Sequence, residues 1–290
     1  MDELVDEYRW DTPLRVAAAL HYLVLSDEAS WDEPAGRLLR EHAGLVRRFA
    51  NEQGVQTNEV QRCWMLLPCF LEVVRRSGLT ELDLVELGPS AGLNLLWDRY
   101  RYSYAAGGWG SGEALLELRG EERGRVPAEL LSVQPVVGSR IGIDVAPIDV
   151  GSDEGARLLK SFVWPDQEWR LRQLDEAIDA VRREPPQLLR GDLVDELPRV
   201  LSHARGDALT LVWHTAVLGY LPRERRELVY ETLEEAGARV PIAFVQTTVP
   251  EGDADNAGTF YGLAIRVYPT AREVVANADF HGAWLDWLSA

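Results

Sequence analysis

The segment 82-LDLVELGPSAGLNL-95 joins a short strand, a glycine-rich turn and the start of a helix. The strand, residues 82–87, carries an acid near its end, Glu86, and the turn 88–92 follows directly. Glycines let a backbone turn tightly and approach a ligand, and the first turn of a helix offers unpaired N–H groups. The helix is predicted from apolar residues at helical spacing, Leu93, Leu96, Trp97 and Tyr100. The segment therefore predicts a ligand site at the carboxyl end of a strand.

Short apolar strands alternate with helical patterns through the rest of the chain. The predicted strands are 140–145, 187–190, 208–213, 242–247 and 262–268, with helices at about 167–183 and 222–236. Such alternation is typical of an α/β domain with a mainly parallel sheet and helices on both faces. Two strands within residues 261–276, with no helix between them, predict a C-terminal antiparallel hairpin.

Residues 1–78 are predicted to form an N-terminal helical region ahead of a sheet domain at 79–290. Three helices are expected there, at about 12–25, 34–49 and 58–77. Pro68 lies inside the third and predicts a kink or a break, because proline removes a helical hydrogen bond. Residues 101–138 interrupt the alternation and predict an insertion, a ribbon or a lid, within the sheet domain.

Composition limits the partners of the protein. The chain of 290 residues has a formal net charge of -17, which disfavours nucleic acid and anionic membrane surfaces. No apolar run approaches the roughly 18 to 20 residues that span a bilayer, and the acidic start does not suit a secretory signal. We therefore expect a cytoplasmic protein that acts on a small molecule; the sequence leaves its oligomeric state open.

The cysteines and histidines predict no metal site. Cys63 and Cys69 stand six residues apart in a helical pattern, so they point to different faces of one helix. The five histidines are dispersed, and none has a zinc-like spacing with the two cysteines. Both thiols are expected in the core.

The turn can be compared with the sequence patterns of two kinds of nucleotide-binding site, and it matches one better than the other. An acid followed by alternating glycines is the recurring form of an S-adenosylmethionine site, and here Ser90 takes the place of the middle glycine. A dinucleotide site needs Gly-x-Gly-x-x-Gly, but Ser90 and Leu93 occupy its second and third glycine positions. The spacing favours S-adenosylmethionine.

The same turn is also a literal Gly-x-Ser-x-Gly nucleophile elbow with Ser90 as the nucleophile. An acid, Asp253 or Asp255, and then His281 follow in the order that such hydrolases use. Against this interpretation, helices rather than strands precede the elbow, and Glu86 would put a carboxylate beside the forming oxyanion. A serine hydrolase therefore remains the weaker alternative.

Three later strand ends carry polar residues, and open α/β sheets bind ligands outside the carboxyl ends of their strands. Asp144 is expected to meet ribose hydroxyls, and Asp192 with Leu193 to meet the adenine. His214 is expected to face the methyl group and its acceptor. A single Asp at a strand end is often only a turn or helix cap, but four strand ends in series favour a site.

Several segments together resemble a bacterial family known as domain of unknown function 2332. They are 85-VELGPSAGLNL-95, 140-RIGID-144, 164-WPDQ-167, 190-RGD-192, 214-HTAVL-218 and 282-GAWLDWL-288. The family is similar to class I S-adenosylmethionine-dependent methyltransferases, so the resemblance implies a Rossmann-like methyltransferase sheet and a cofactor pocket. The family name itself carries no activity.

The sequence thus predicts a methyltransferase that moves a methyl group from S-adenosylmethionine to an unidentified small molecule. His214 is the predicted catalytic residue, a general base whose ordinary pKa suits proton removal near neutral pH. The predicted cofactor-binding residues are Glu86, Gly88, Pro89, Ser90, Ala91, Gly92, Asp144, Asp192 and Leu193. A non-catalytic protein that keeps the fold and binds the nucleoside ligand is the main alternative.

Overall fold

The computed structural model describes residues 6–248 and 260–288. The α-helices of these residues are α1 (Thr12–Leu25), α2 (Ala35–Glu41), α3 (Ala43–Glu52), α4 (Arg62–Ser77), α5 (Asp153–Ser161), α6 (Glu168–Arg183), α7 (Leu193–Leu201) and α8 (Arg223–Gly237). The strands are β1 (Glu81–Leu87), β2 (Arg101–Tyr104), β3 (Gly107–Trp109), β4 (Glu117–Arg119), β5 (Glu121–Gly124), β6 (Val136–Asp144), β7 (Gln187–Arg190), β8 (Leu209–His214), β9 (Ile242–Thr248), β10 (Tyr261–Val267), β11 (Glu273–Ala278) and β12 (Trp284–Trp287).

Nine of the described strands form one sheet in the order β5-β12-β11-β10-β9-β8-β1-β6-β7. Four neighbouring pairs of this sheet are parallel: β9 with β8, β8 with β1, β1 with β6, and β6 with β7. These five parallel strands lie side by side in the order β7-β6-β1-β8-β9. Renumbered 1 to 5 along the chain, this is the order 3-2-1-4-5, and it reverses between β1 and β8. In open α/β sheets, ligands bind in the crevice at such a reversal, outside the carboxyl ends of the strands.

Both faces of the parallel part of the sheet are buried, as is usual for parallel sheets. Every residue of β8 is buried. Its Leu211 and Trp213 belong to the cluster that includes α4, α5 and α6, whereas Val212 belongs to the cluster that includes α7 and α8. Successive side chains of a strand point to opposite faces, so helices cover both faces. The predicted α/β class and the mainly parallel sheet are confirmed.

The C-terminal part of the sheet is antiparallel. β10 pairs antiparallel with β9, β11 with β10, and β12 with β11. The hairpin predicted within residues 261–276 is therefore present, and β12 extends it. β12 also pairs with β5, which lies in the segment predicted as an insertion, while β2, β3 and β4 form a small separate sheet.

The segment after the glycine turn differs from its prediction as an amphipathic α-helix. It is a 3₁₀ helix, Leu93–Arg99, in which Leu93–Trp97 are all buried. The Trp97 ring lies 5.2 Å from Phe70 of α4 and 5.5 Å from Trp109 of the insertion. Because it is covered on two sides, the first five residues of this short helix have no solvent-exposed face, and only its end reaches the surface, at Arg99.

One prediction for the N-terminal helices is wrong, and a second is wrong in part. The helix expected over residues 34–49 is divided at His42, which lies between α2 and α3. Pro68 does not break α4, which runs without interruption from Arg62 to Ser77, and the kink stays a prediction. Proline cannot donate to the carbonyl four residues earlier, and the Tyr104 hydroxyl donates to that carbonyl, Trp64 O, at 2.5 Å.

The helices α1, α2 and α3 share a small core of their own, whereas α4 packs in the main core with residues of β1 and β8. The boundary proposed at residues 78 and 79 stays a prediction. Within the described residues, none of the helices combines the length and the apolar character that crossing a bilayer requires.

Candidate functional site

The turn after β1 has an alternating left-handed backbone. Gly88, Ser90 and Gly92 have φ values of 70°, 55° and 77°. Residues other than glycine rarely adopt this region. Ser90 therefore takes up the left-handed conformation for which a glycine was expected.

Side chains from other segments accept hydrogen bonds from the N–H groups of this turn. Ser90 N donates to Asp144 Oδ2 at 2.9 Å. Ala91 N and Leu93 N both donate to Asn58 Oδ1, at 3.3 and 3.2 Å. The N–H groups expected to meet a ligand are thus already bonded within the protein. Asn58, predicted as a helix start, instead holds the turn.

The turn packs closely against the protein. A Cβ at Gly88 would lie 2.7 Å from the Val217 Cβ, and one at Gly92 would lie 2.9 Å from the Pro186 Cγ. Pro89 in turn contacts β6, because a Cβ at Gly142 would lie 2.6 Å from its Cγ. The glycines are needed for internal packing, so the sequence argument that they leave room for a ligand is not supported at these two positions.

A cavity of about 290 Å³ opens at the carboxyl ends of β1, β6 and β8. We call it the Glu86 cavity. Four of the predicted residues line it: Glu86, Gly88, Ser90 and Asp144. Sequence reasoning did not identify several others, among them Val55, Thr57, Asn58, Arg62, Asn94 and Thr215. The site lies at the strand-order reversal, where ligands of open α/β sheets are found.

Glu86 is the most perturbed acid of this cavity. Its side chain is buried, Oε1 accepts from Asn94 Nδ2 at 3.4 Å, and Oε2 has no hydrogen-bond partner among the described residues. Burial raises the pKa of Glu86 to about 8, and the nearby Asp144 adds to this rise. A buried acid with one free oxygen can accept a hydrogen bond from, or pair with, a cationic ligand group.

Arg62 brings a positive charge to the same cavity. It is the first residue of α4, nearly buried, with Nε donating to Phe280 O at 2.9 Å and Nη1 to Thr215 Oγ1 at 3.2 Å. These bonds fix the guanidinium in place. Arg62 begins a helix that also carries Glu72, Arg75 and Arg76, so no sequence signal singles it out. Arg62 and Glu86 together match a ligand that carries both an anionic and a cationic group.

His214 lies in a different cavity. This neighbouring cavity, about 690 Å³, also includes Tyr230 and Gln246 and shares Tyr220 with the Glu86 cavity. Burial lowers the pKa of His214 to about 4, so its imidazole is neutral near pH 7. Neither ring nitrogen makes a hydrogen bond within the described residues. His214 therefore borders the site without lining the Glu86 cavity.

Asp192 and Leu193 have structural contacts of their own. Asp192 Oδ1 accepts from Val194 N at 2.9 Å, which caps α7, and from Arg225 Nη2 at 2.6 Å. Leu193 is buried in the core beneath α7 and α8. Neither is among the described residues that line the Glu86 cavity. The adenine contact expected of them stays a prediction.

Ser90 shows part of what a nucleophile elbow requires. Its positive φ is typical of that turn, and its Oγ is buried without a hydrogen-bond partner among the described residues. His281 lines the same cavity. The acids expected to complete a triad, Asp253 and Asp255, lie outside the described residues. The hydrolase interpretation stays a prediction.

The fold and cavity define an α/β protein with a candidate small-molecule site at the strand-order reversal of a mainly parallel sheet. Within residues 6–248 and 260–288, no cluster of His, Cys, Asp and Glu side chains is arranged to hold a metal ion. The family model of uncharacterised proteins conserved in bacteria, domain of unknown function 2332, matches residues 6–287, so the chain belongs to that family. The comparison with curated proteins gave no match.

Proposed function

We propose that this protein is an S-adenosylmethionine-dependent methyltransferase that acts on a small molecule. The observation that carries the proposal is the buried carboxyl of Glu86, which lines the same cavity as Arg62 and whose Oε2 has no hydrogen-bond partner in the described part of the chain. The 3-2-1-4-5 order of the parallel strands supports it, because this is the core order of Rossmann-like sheets. The position of the cavity at the β1–β8 reversal supports it further.

The residues present fit the charged end of this cofactor. Glu86 would hold the ammonium group and Arg62 the carboxylate of its amino-acid part. Asp144 would meet the ribose hydroxyls, since each of its oxygens has one further lone pair beyond its bond to Ser90 N or Ala146 N. When bound, the cofactor would supply an electrophilic methyl group on a sulfonium. The protein's task is to hold and orient the partners.

Two histidines are candidates for taking up a proton from the acceptor. His214 remains our sequence-based candidate, reached through the neighbouring cavity. His281 lines the Glu86 cavity directly, and burial together with Arg62 and Arg170 lowers its pKa. A lowered pKa keeps either imidazole neutral near pH 7, but the value of about 4 also makes His214 a weak base.

Calorimetric titration with S-adenosylmethionine and S-adenosylhomocysteine tests the proposal, with NAD as a control ligand. We expect Glu86→Gln to weaken binding by about tenfold or more, because the ammonium group of the ligand favours the ionised form of Glu86 and glutamine cannot form that charge-assisted bond, worth about 1.5–3 kcal/mol. Glu81→Gln is the matched control, since Glu81 is exposed at the other end of the same strand. Substituting Gly88 or Gly92 is unsuitable, because the new side chains would collide with Val217 or Pro186.

Absence of binding to folded wild-type protein would remove the methyltransferase proposal. Binding of both ligands without any methylated product from a metabolite pool would favour the non-catalytic alternative. The hydrolase alternative, favoured by the backbone of Ser90, predicts that a fluorophosphonate labels wild-type protein but not Ser90→Ala.

A further inference from the structure

A second, apolar cavity of about 440 Å³ lies between α1 and the segment that joins α5 to α6. Its walls include Leu14, Ala17 and Leu20 of α1, and Phe162, Val163 and Trp164 of that joining segment. Pockets of this size and composition bind small ligands mainly by burying apolar surface. We call it the apolar cavity.

The apolar cavity adjoins the Glu86 cavity. Val55, Thr57 and His281 line both of them. A ligand in the apolar cavity would therefore reach the place where Glu86 and Arg62 bind the charged end of a second molecule. His281 would stand between the two ligands.

The walls of the apolar cavity offer no unpaired charge among the described residues. Arg170 is ion-paired with Glu59, and the two side chains are only 10% and 5% exposed. His21 Nδ1 lies 3.3 Å from Ser161 O, and burial lowers the pKa of this histidine, as it does that of His281. A charged ligand would lose its hydration here without a counter-ion.

Two tryptophans leave ring surface available at this cavity. Trp31 and Trp164 line it and are 47% and 49% exposed. Exposed indole rings beside an apolar pocket favour aromatic ligands, which stack on their faces. Their fluorescence also provides a readout of occupancy.

We propose that the apolar cavity is the acceptor site, and that it takes an uncharged, largely apolar small molecule with an aromatic ring. The assignment as an acceptor site rests on the proposed function, whereas the class of ligand rests on the cavity alone. Val55, Thr57 and His281 form the boundary across which the acceptor meets the cofactor.

The ligand class is tested with two fluorescent probes that share their rings and differ in charge. N-phenyl-1-naphthylamine is uncharged, and 8-anilinonaphthalene-1-sulfonate carries an additional sulfonate. We expect saturable one-to-one binding of the uncharged probe, with about tenfold or greater preference over the sulfonate. Equal affinities would overturn the assignment to uncharged ligands.

Ala17→Trp tests whether the probe binds in the apolar cavity. Ala17 lines this cavity and is only partly buried, so a larger side chain there would fill the cavity. Ala43→Trp adds the same side chain at an exposed position of α3. With unfolding midpoints matched to wild type, the first variant should lose binding of N-phenyl-1-naphthylamine and the second should keep it. Equal binding by both variants would overturn the site.

Repeating the probe titration with saturating S-adenosylhomocysteine separates this proposal from the proposed function. Unchanged or tighter probe binding supports an acceptor site beside an occupied cofactor site. Mutual displacement would overturn it, since the apolar cavity would then belong to the cofactor. Failure of S-adenosylhomocysteine to bind would remove both the methyltransferase proposal and the acceptor role, while the probe data would still decide the ligand class.

Discussion

At the scale of the residue, Glu86 couples the site to pH. Burial raises its pKa from an ordinary value near 4.5 to about 8. Between these two values the unfolded chain has released a proton that the folded protein retains. The free energy of unfolding therefore falls as pH rises through this window, by up to about 1.4 kcal/mol per pH unit.

Glu86→Gln should remove this loss of stability, because glutamine has no proton to release. We expect the variant to gain stability relative to wild type as the pH is raised from about 5 to about 8. Urea unfolding at several pH values in that range measures the difference. Glu81→Gln should show no such gain, and a difference between Glu86→Gln and wild type that is constant with pH would contradict the raised pKa.

At the scale of the element, α4 depends on a residue of β2, Tyr104. Pro68 leaves Trp64 O without its helical donor, and the Tyr104 hydroxyl donates to it instead. Tyr104→Phe should cost about 1–3 kcal/mol, because it leaves this buried carbonyl unpaired. In a Pro68→Ala background the cost should be smaller, because the substituted alanine supplies the missing N–H. A double-mutant cycle by urea unfolding measures this coupling, and additive effects would contradict it.

Strand positions were predictable because short apolar runs define them locally. The predicted strand 187–190 coincides with β7, and the predicted strand 242–247 differs from β9 by one residue. The contributions of Asn58 and Arg62 were not predictable in this way. Both lie outside the strand ends, and they reach the site only because α4 and the segment before it pack across the turn. The conformation of α4 at Pro68 likewise depends on Tyr104, which lies in another element.

At the scale of the whole molecule, the main core includes α4. Trp64, Phe70 and Leu71 are fully buried in the same cluster as Leu84 of β1 and Leu211 of β8. Removing this helix would expose a large apolar area of the sheet, at roughly 25 cal/mol per Å². The helices α1 to α3 instead form a cluster beside it.

These packing relations predict which shortened chains fold. A chain beginning at residue 54 keeps α4, Arg62 and Asn58, and we expect a cooperative urea transition. A chain beginning at residue 79, at the boundary suggested by sequence alone, lacks the helix that covers β1 and β8, and we expect it to aggregate or to unfold without a cooperative transition. Near-ultraviolet circular dichroism reports the tertiary packing of the two chains, and urea unfolding reports whether each unfolds cooperatively. A cooperatively folded 79–290 chain would contradict the assignment of α4 to the main core and would support the predicted boundary at residue 78.

If the chain that begins at residue 54 folds, it should retain the Glu86 cavity but lose the α1 wall of the apolar cavity, so its binding of N-phenyl-1-naphthylamine should fall.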